Sequence, residues 1–422
     1  MTTTPQHLEH FLCDHWVPST RSAQDSTALL HAIHGHTVAR LNEDTVDIKS
    51  AMQHARAVGN VNLRKLTFQE RGRMLKALAL HLHGKKESFY AISWATGATR
   101  NDSWIDIEGG IGNLFSYASL RKQFGDTPFA LDGSGIPLSK EGSFVGHHIL
   151  VPKQGVALHI NAFNFPVWGM LEKVAVNWLA GVPAIVKPAS ATSYLTEAVV
   201  REIIASKILP PGAIQLICGP ARNLLDYVDE RDVVTFTGSA ETGRMLKAHP
   251  RISENSVPFN MEADSLNSAI LGPHVQPGDP EFELFVKEVR KEMTVKCGQK
   301  CTAVRRVFVP KHLIDSVQES LCLALAKTTL GDPQVEGVRM GALVNRAQKD
   351  EVILKISELE TEAECVYRDE SLPIGASSDS GTFLGPSLLR MDSPFDAVRC
   401  HDVEAFGPVS TLMPYNDLGE AI

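Results

Sequence analysis

The sequence predicts a multi-domain α/β fold built on parallel sheet. Three observations carry that expectation. From Gly155 onward, short apolar runs alternate with helical segments. Those runs are continuously apolar rather than alternating, as expected of strands buried on both faces. At 422 residues the chain is also long enough for two or three domains of roughly 150 residues each.

The elements follow in chain order. Residues 1–128 read as mainly helical. Across 66–98, Leu66, Phe68, Met74, Leu75, Leu78, Leu80 and Leu82 fall at near-helical spacing, with Thr67 placed to cap the helix. Gly133, Ser134, Gly135 and Pro137 mark a break. SFVGHHILVP (143–152) then reads as a strand or half of a hairpin. VALHI (156–160) is a short apolar strand, followed by the loop NAFNFP and a helix over 170–181. PAIVKP (183–188) is the next strand, then a helix over 195–206 and the strand GAIQLIC (212–218). A helix around ARNLLDYV (221–228), the strand DVVTFTG (232–238) and a helix over 240–248 complete this region. A second α/β region starts near Asp264, with a helix over 281–296, the strand AVRRVFVP (303–310) and a helix over 313–331. The Ser-, Asp- and Gly-rich stretch 371–381 reads as a surface loop.

Composition narrows the function classes. Apolar residues make up 43% and charged residues 21%, which excludes a mostly disordered chain. A net charge of −8 leaves no electrostatic footprint for nucleic acid or an anionic membrane. The seven cysteines are scattered, suiting a reducing compartment rather than a disulfide framework. No apolar run approaches the roughly 18 residues of a membrane span. The start, MTTTPQHLEHFLCDHW, has acids and no basic-then-apolar order, so no signal peptide is expected. The expectation is a cytoplasmic protein with no nucleic-acid or membrane partner.

Four segments carry chemistry, each with an ordinary alternative. KCGQKCTA (296–303) places Cys301 between a helix and a strand, where a thiol can face a cleft as a nucleophile; the alternative is an inert buried cysteine. Asn164, in NAFNFPVWG, can present its amide at a strand's carboxyl end to an oxyanion, or can satisfy its own turn. Gly238 and Gly243, in FTGSAETG, bring backbone amides to a strand-to-helix junction that suits a pyrophosphate. Glu262, in NMEADSLN, is a general base beside apolar residues or an ordinary loop acid. Cys297, four residues before Cys301, is either a partner for a reversible disulfide or a small residue packed under the loop. His31, His34 and His36, and His147 with His148, lack cysteine or carboxylate partners at zinc spacing, so no metal is expected. GGIGNL (109–114) follows acids rather than a strand and is not a dinucleotide fingerprint.

Taken together, NFP, KPA, FTGS, the glutamate, GQxC and EAFGPV stand in the order of the aldehyde dehydrogenase superfamily, which the chain resembles over nearly its whole length. NAFNFPVWGMLEKVA, MEADSLNSAI and MTVKCGQKCTA narrow the likeness to PaaZ-type semialdehyde dehydrogenases of phenylacetate degradation. BoxD-like enzymes of aerobic benzoyl-CoA breakdown are the second likeness.

The resemblance implies an aldehyde dehydrogenase-like fold. A Rossmann-type cofactor domain would occupy 1–135 and 154–264, a bridging oligomerisation hairpin 136–153, and an α/β catalytic domain 265–422. It implies Cys301 as nucleophile, Glu262 as base for water, and Asn164 with the Cys301 N–H as oxyanion donors. Lys187, Ser190, Gly238, Ser239, Glu404 and Phe406 become cofactor contacts. NAD-preferring members often carry a glutamate three residues after the lysine; here Ser190 stands there, so NADP is expected over NAD. Ser190 as a helix cap is the alternative. The implied substrate is a coenzyme A-linked aldehyde of the 3-oxo-5,6-dehydrosuberyl-CoA semialdehyde kind, or else 3,4-dehydroadipyl-CoA semialdehyde. A separate enoyl-CoA hydratase and a homo-oligomeric state are implied as partners. The chain stops at NDLGEAI, soon after EAFGPV, where family members continue. A catalytic domain incomplete at its C-terminus is therefore expected, with an inactive nucleotide-binding fragment as the alternative reading.

Overall fold

The computed structural model describes residues 6–422. The chain divides into two compact units. Unit 1 comprises residues up to Leu29, Ala39–Tyr90 and Trp104–Ala263; unit 2 comprises Leu30–Val38, Ala91–Ser103 and Asp264–Ile422. Two N-terminal segments thus group with the second α/β region rather than with their sequence neighbours.

Residues 48–123 are almost wholly helical, as expected, but residues 10–40 carry four short strands. β1 (His10–Leu12) and β2 (His15–Val17) form an antiparallel hairpin, and β3 (Ala28–Leu30) pairs with β4 (Thr37–Arg40). The β1–β2 turn holds Cys13 and Asp14 at φ 49° and 64°. Asp14 is a residue type that tolerates this backbone, but Cys13 is not, so the turn signature is weak. The helix Phe68–Ser93 does begin at Thr67 with a reciprocal capping box: Thr67 N–H donates to Glu70 Oε2 and Glu70 N–H to Thr67 Oγ1.

β5 (Ala130–Pro137) and β6 (Val145–Leu150) form an antiparallel hairpin. The break expected at 133–137 lies inside β5, where Gly133 takes φ 75° and the register shifts between Asp132 and Ile136. The glycines make an irregular strand rather than end one.

The main sheet of unit 1 adds β7 (Ala157–Ile160), β8 (Ala184–Lys187), β9 (Ile214–Leu216), β10 (Val233–Gly238) and β11 (Phe259–Ala263). Its order is β11-β10-β7-β8-β9-β1-β2; β7 to β11 are parallel and β1 joins antiparallel to β9. The central strands β7, β8 and β9 are buried and mostly apolar, with His159 and Gln215 as fully buried polar exceptions. Residues 221–228 are consecutive i→i+3 turns, not the expected helix. Their apolar spacing serves Leu224, Leu225 and Val228, which enter the core.

GGIGNL lies within the helix Arg100–Ser119. A Cβ on Gly109 would sit 2.1 Å from the Trp168 ring, and one on Gly110 would sit 2.8 Å from the Trp168 Cα. These glycines let a helix approach the start of Pro166–Leu179. Asp106 Oδ1 accepts the Val167 and Trp168 N–H groups there, at 3.0 and 2.8 Å.

Unit 2 carries a five-stranded sheet of β12 (Asn267–Ile270), β13 (Val304–Pro310), β14 (Glu364–Arg368), β15 (Ser387–Arg390) and β16 (Val409–Tyr415). The order is β12-β13-β16-β15-β14, parallel except for β14. The helices Pro280–Thr294 and Ile314–Leu325 pack on it through Phe282, Val286, Met293, Val317 and Leu321. The His31, His34 and His36 rings pack against one another and Trp94. Asp332 accepts from the Trp94 indole at 2.9 Å. Among the described residues no helix is long and apolar enough to cross a membrane.

Candidate active site

In unit 1 the sequence-named residues gather at the carboxyl ends of four neighbouring strands. Register aligns Ile160 of β7 with Lys187 of β8 and with Phe236 of β10; Thr237 aligns with Glu262 of β11. Asn164 lies in the loop leaving β7 and is buried. Lys187 ends β8, and its ammonium donates to the Pro188 carbonyl at 2.7 Å. Burial holds that ammonium below the usual lysine range. Ser190 opens a single 3-10 turn, Ser190–Thr192, whose cap position belongs to Ala189. The helix-cap role is therefore not the one Ser190 fills. Ser239 does cap a helix: its hydroxyl accepts the Thr242 N–H at the start of Ala240–Lys247, directly after Gly238.

Glu262 sits on the edge strand β11 rather than in a loop, and it is exposed. Thr237 Oγ1 donates to its Oε2 at 3.4 Å.

In unit 2 the remaining residues gather at the amino ends of two neighbouring strands. Cys301 lies in the turn entering β13 and is exposed, outside any disulfide. Glu404 and Phe406 lie in the segment entering β16. The turn before Cys301 is unusual: Lys296, Cys297 and Gly298 take φ 55°, 54° and 67° in succession. Left-handed backbone at non-glycine residues costs on the order of 1 kcal/mol each, so it must be held. Asp102 Oδ1 accepts the Lys296 N–H at 2.8 Å, and Gln299 Nε2 donates back to the Lys296 carbonyl at 3.0 Å. The Lys296 ammonium, buried, donates to Thr96 Oγ1 at 3.1 Å. Lys300 is paired with both oxygens of Glu292 at 2.8 Å.

Three residues near this turn take no role from the sequence, although Ser265 and Asn267 lie within NMEADSLN. Asn267 Nδ2 donates to the carbonyl of Cys301 at 2.6 Å and to that of Ala303 at 3.1 Å. Arg305, buried on β13, donates from Nη2 to the Gly298 carbonyl at 2.8 Å and from Nη1 to the Gly407 carbonyl at 2.6 Å. Its Nη2 also lies 3.6 Å from Glu404 Oε1. Ser265 N–H donates to Glu404 Oε2 at 3.1 Å. Burial pushes the Glu404 carboxyl above the usual carboxylate range, against the pull of Arg305. The one clue to Arg305 in the sequence is a charge inside an apolar strand.

Cys297 is buried where Cys301 is exposed. It is buried in the apolar core, its Sγ faces the Leu384 carbonyl, and burial pushes its pKa far up. This environment favours the packed-residue reading over the disulfide one.

A family model described as "Aldehyde dehydrogenase family" matches residues 16–422. The 3,4-dehydroadipyl-CoA semialdehyde dehydrogenase of Aromatoleum evansii is 42% identical over 418 residues, covering 98% of this chain and 81% of that one. A putative aldehyde dehydrogenase of Staphylococcus aureus is 28% identical over 273 residues, covering 64% of this chain and 55% of that one. Among solved structures, betaine aldehyde dehydrogenase of Staphylococcus aureus in complex with NAD+ superposes with a TM-score of 0.84 at 21% identity. It covers 98% of this chain and 81% of that one, a likeness of fold. The motifs, the two parallel sheets and the family match agree: the chain belongs to the aldehyde dehydrogenase family.

Proposed function

We propose that this protein oxidises a semialdehyde carried on a coenzyme A thioester to the carboxylic acid, with NADP as hydride acceptor. The carrying observation is the 42% identity, over 98% of the chain, to a 3,4-dehydroadipyl-CoA semialdehyde dehydrogenase. That relative favours a 3,4-dehydroadipyl-type acyl chain over the longer 3-oxo-5,6-dehydrosuberyl one.

Cys301, exposed on its held turn, attacks the aldehyde carbon to form a thiohemiacetal. The Asn164 amide and the Cys301 N–H stabilise the oxyanion. Nicotinamide, when bound, would supply the hydride acceptor. Cys301 would then hold the acyl group as a thioester. Glu262 takes a proton from water, which attacks the thioester and releases the acid and the thiolate. A base for water supports a free acid product over acyl transfer to a second coenzyme A.

The unit 1 donor set suits a dinucleotide. A lysine ammonium at the end of β8 matches ribose hydroxyls or a phosphate, and the capped helix start after β10 matches a pyrophosphate. Glu404 and Phe406 are assigned to the nicotinamide ribose and ring. The β5–β6 hairpin, with Leu131, Ile136, Phe144 and Ile149 more than half exposed, supports self-association.

The test is NADPH formation at saturating NADP with a coenzyme A-linked semialdehyde, comparing wild type with Cys301→Ala. Activity in the wild type and none in the variant is expected. Activity surviving the substitution removes the mechanism, and consumption of free coenzyme A removes the hydrolytic step.

A further inference from the structure

Two polar chains run from the Glu404 carboxylate to the main chain around Cys301, both inside unit 2. The first starts at Glu404 Oε2, which accepts the Ser265 N–H. The Ser265 hydroxyl donates to Asn267 Oδ1 at 2.9 Å, and the other end of that amide holds the Cys301 carbonyl at 2.6 Å. The second starts at Glu404 Oε1, which faces Arg305 Nη2; the same nitrogen holds the Gly298 carbonyl, three residues before Cys301. Arg305 also lies over the Phe406 ring, 5.7 Å from its centroid.

The chemistry of these groups makes the link stiff. Arg305 is 5% exposed, and a buried guanidinium is stable only with its acceptors in place. Its planar fork meets two carbonyls and a carboxylate at once, a pattern that an ammonium cannot copy. Glu404 Oε1 is buried and accepts no hydrogen bond among the described residues, so it depends on the Arg305 charge. Asn267 spends both ends of one amide, so its orientation is fixed by Ser265 and passed to Cys301.

We propose that Asn267 and Arg305 are positioning residues that couple the Glu404 carboxylate to the main chain carrying Cys301. Neither is assigned to bind substrate or cofactor. The coupling matters for catalysis through the roles proposed above for Glu404 and Cys301, and in that sense it rests on that reading.

The experiment is alkylation of Cys301 by iodoacetamide in the intact protein without cofactor, in wild type and Glu404→Gln. Peptide mass spectrometry follows Cys301, with Cys365 of the same unit as internal reference. Glutamine keeps the shape and removes the charge that orients Arg305. The Cys301 rate is expected to change by about threefold or more while the Cys365 rate stays unchanged. An unchanged Cys301 rate, or an equal change at both cysteines, overturns the coupling. Asn267→Asp keeps the size but loses the donor, and it should shift the Cys301 rate in the same selective way. A wild type that oxidises no aldehyde would defeat the proposed function and leave this readout intact.

Discussion

Gly298 and Gly407 touch so closely that a Cβ on Gly298 would lie 2.1 Å from the Gly407 carbonyl oxygen. The contact explains why GQxC and EAFGPV, more than a hundred residues apart, belong together: one turn packs on the other. Gly298 also takes φ 67°, where any side chain is strained. Gly298→Ala should therefore destabilise the protein by about 2 kcal/mol or more. A thermal midpoint lowered by about 2 °C or more is the expected result in circular dichroism. A midpoint equal to wild type would mean that the turn relaxes freely.

The two cysteines of CGQKC should behave oppositely. Cys297→Ser removes a buried thiol that touches the core, so it should cost about 1–2 kcal/mol of stability while keeping aldehyde oxidation. Cys301→Ser should lower turnover by at least about a thousandfold, because a hydroxyl without an activating base is a poor nucleophile. Peroxide-treated protein should yield no 297–301 linked peptide on mass mapping. A Cys297→Ser variant without activity would reassign the nucleophile.

Local pattern reveals much of this fold where the physics is local. The mostly apolar runs that became β7 and β8 are buried over nearly their whole length, so composition marks them. The β1–β2 hairpin escaped because its turn puts Cys13, a residue type that does not announce left-handed backbone, beside Asp14. The positioning groups escaped for a different reason. Asp106 caps a helix 61 residues away, and Asn267 binds a carbonyl 34 residues away. Such partners are created by tertiary packing, and no spacing rule contains them.

Buried neutral histidines should make the fold sensitive to mild acid. Burial, the dominant cause in each case, lowers His10 and His31 to about 4 and His159 to about 3, from an ordinary 6.5. Between those values and 6.5 the unfolded chain binds protons that the folded chain refuses. Stability contributed by the neutral rings is full above pH 6.5 and falls as pH drops toward 4, by up to about 1.4 kcal/mol per pH unit for each ring. The thermal midpoint should decrease from pH 7 to pH 5, and His159→Gln should show a smaller decrease. Parallel curves for the two proteins would remove His159 from this account.

The hairpin assignment can be tested on one pair. Leu131 and Ile149 face each other across β5 and β6 and are 58% and 56% exposed. Aspartate at both positions should leave the thermal midpoint of the monomer nearly unchanged. It should also abolish any concentration-dependent mass increase seen for wild type by light scattering. Retention of the oligomer would place the interface elsewhere.

In the proposed function, cofactor choice turns on Ser190. It stands three residues after Lys187, in a 3-10 turn that its side chain does not cap. A serine there is neutral and short, so it tolerates a 2′-phosphate that the Lys187 ammonium would attract. A carboxylate at the same place would repel that phosphate and accept the ribose hydroxyls of NAD instead. Ser190→Glu should therefore reverse the preference: kcat/KM with NADP falling at least about tenfold, and that with NAD rising or holding. Lys187→Met should weaken both cofactors, NADP more strongly. Steady-state rates with the two cofactors decide the matter, and a wild type that already prefers NAD would overturn the assignment of Ser190.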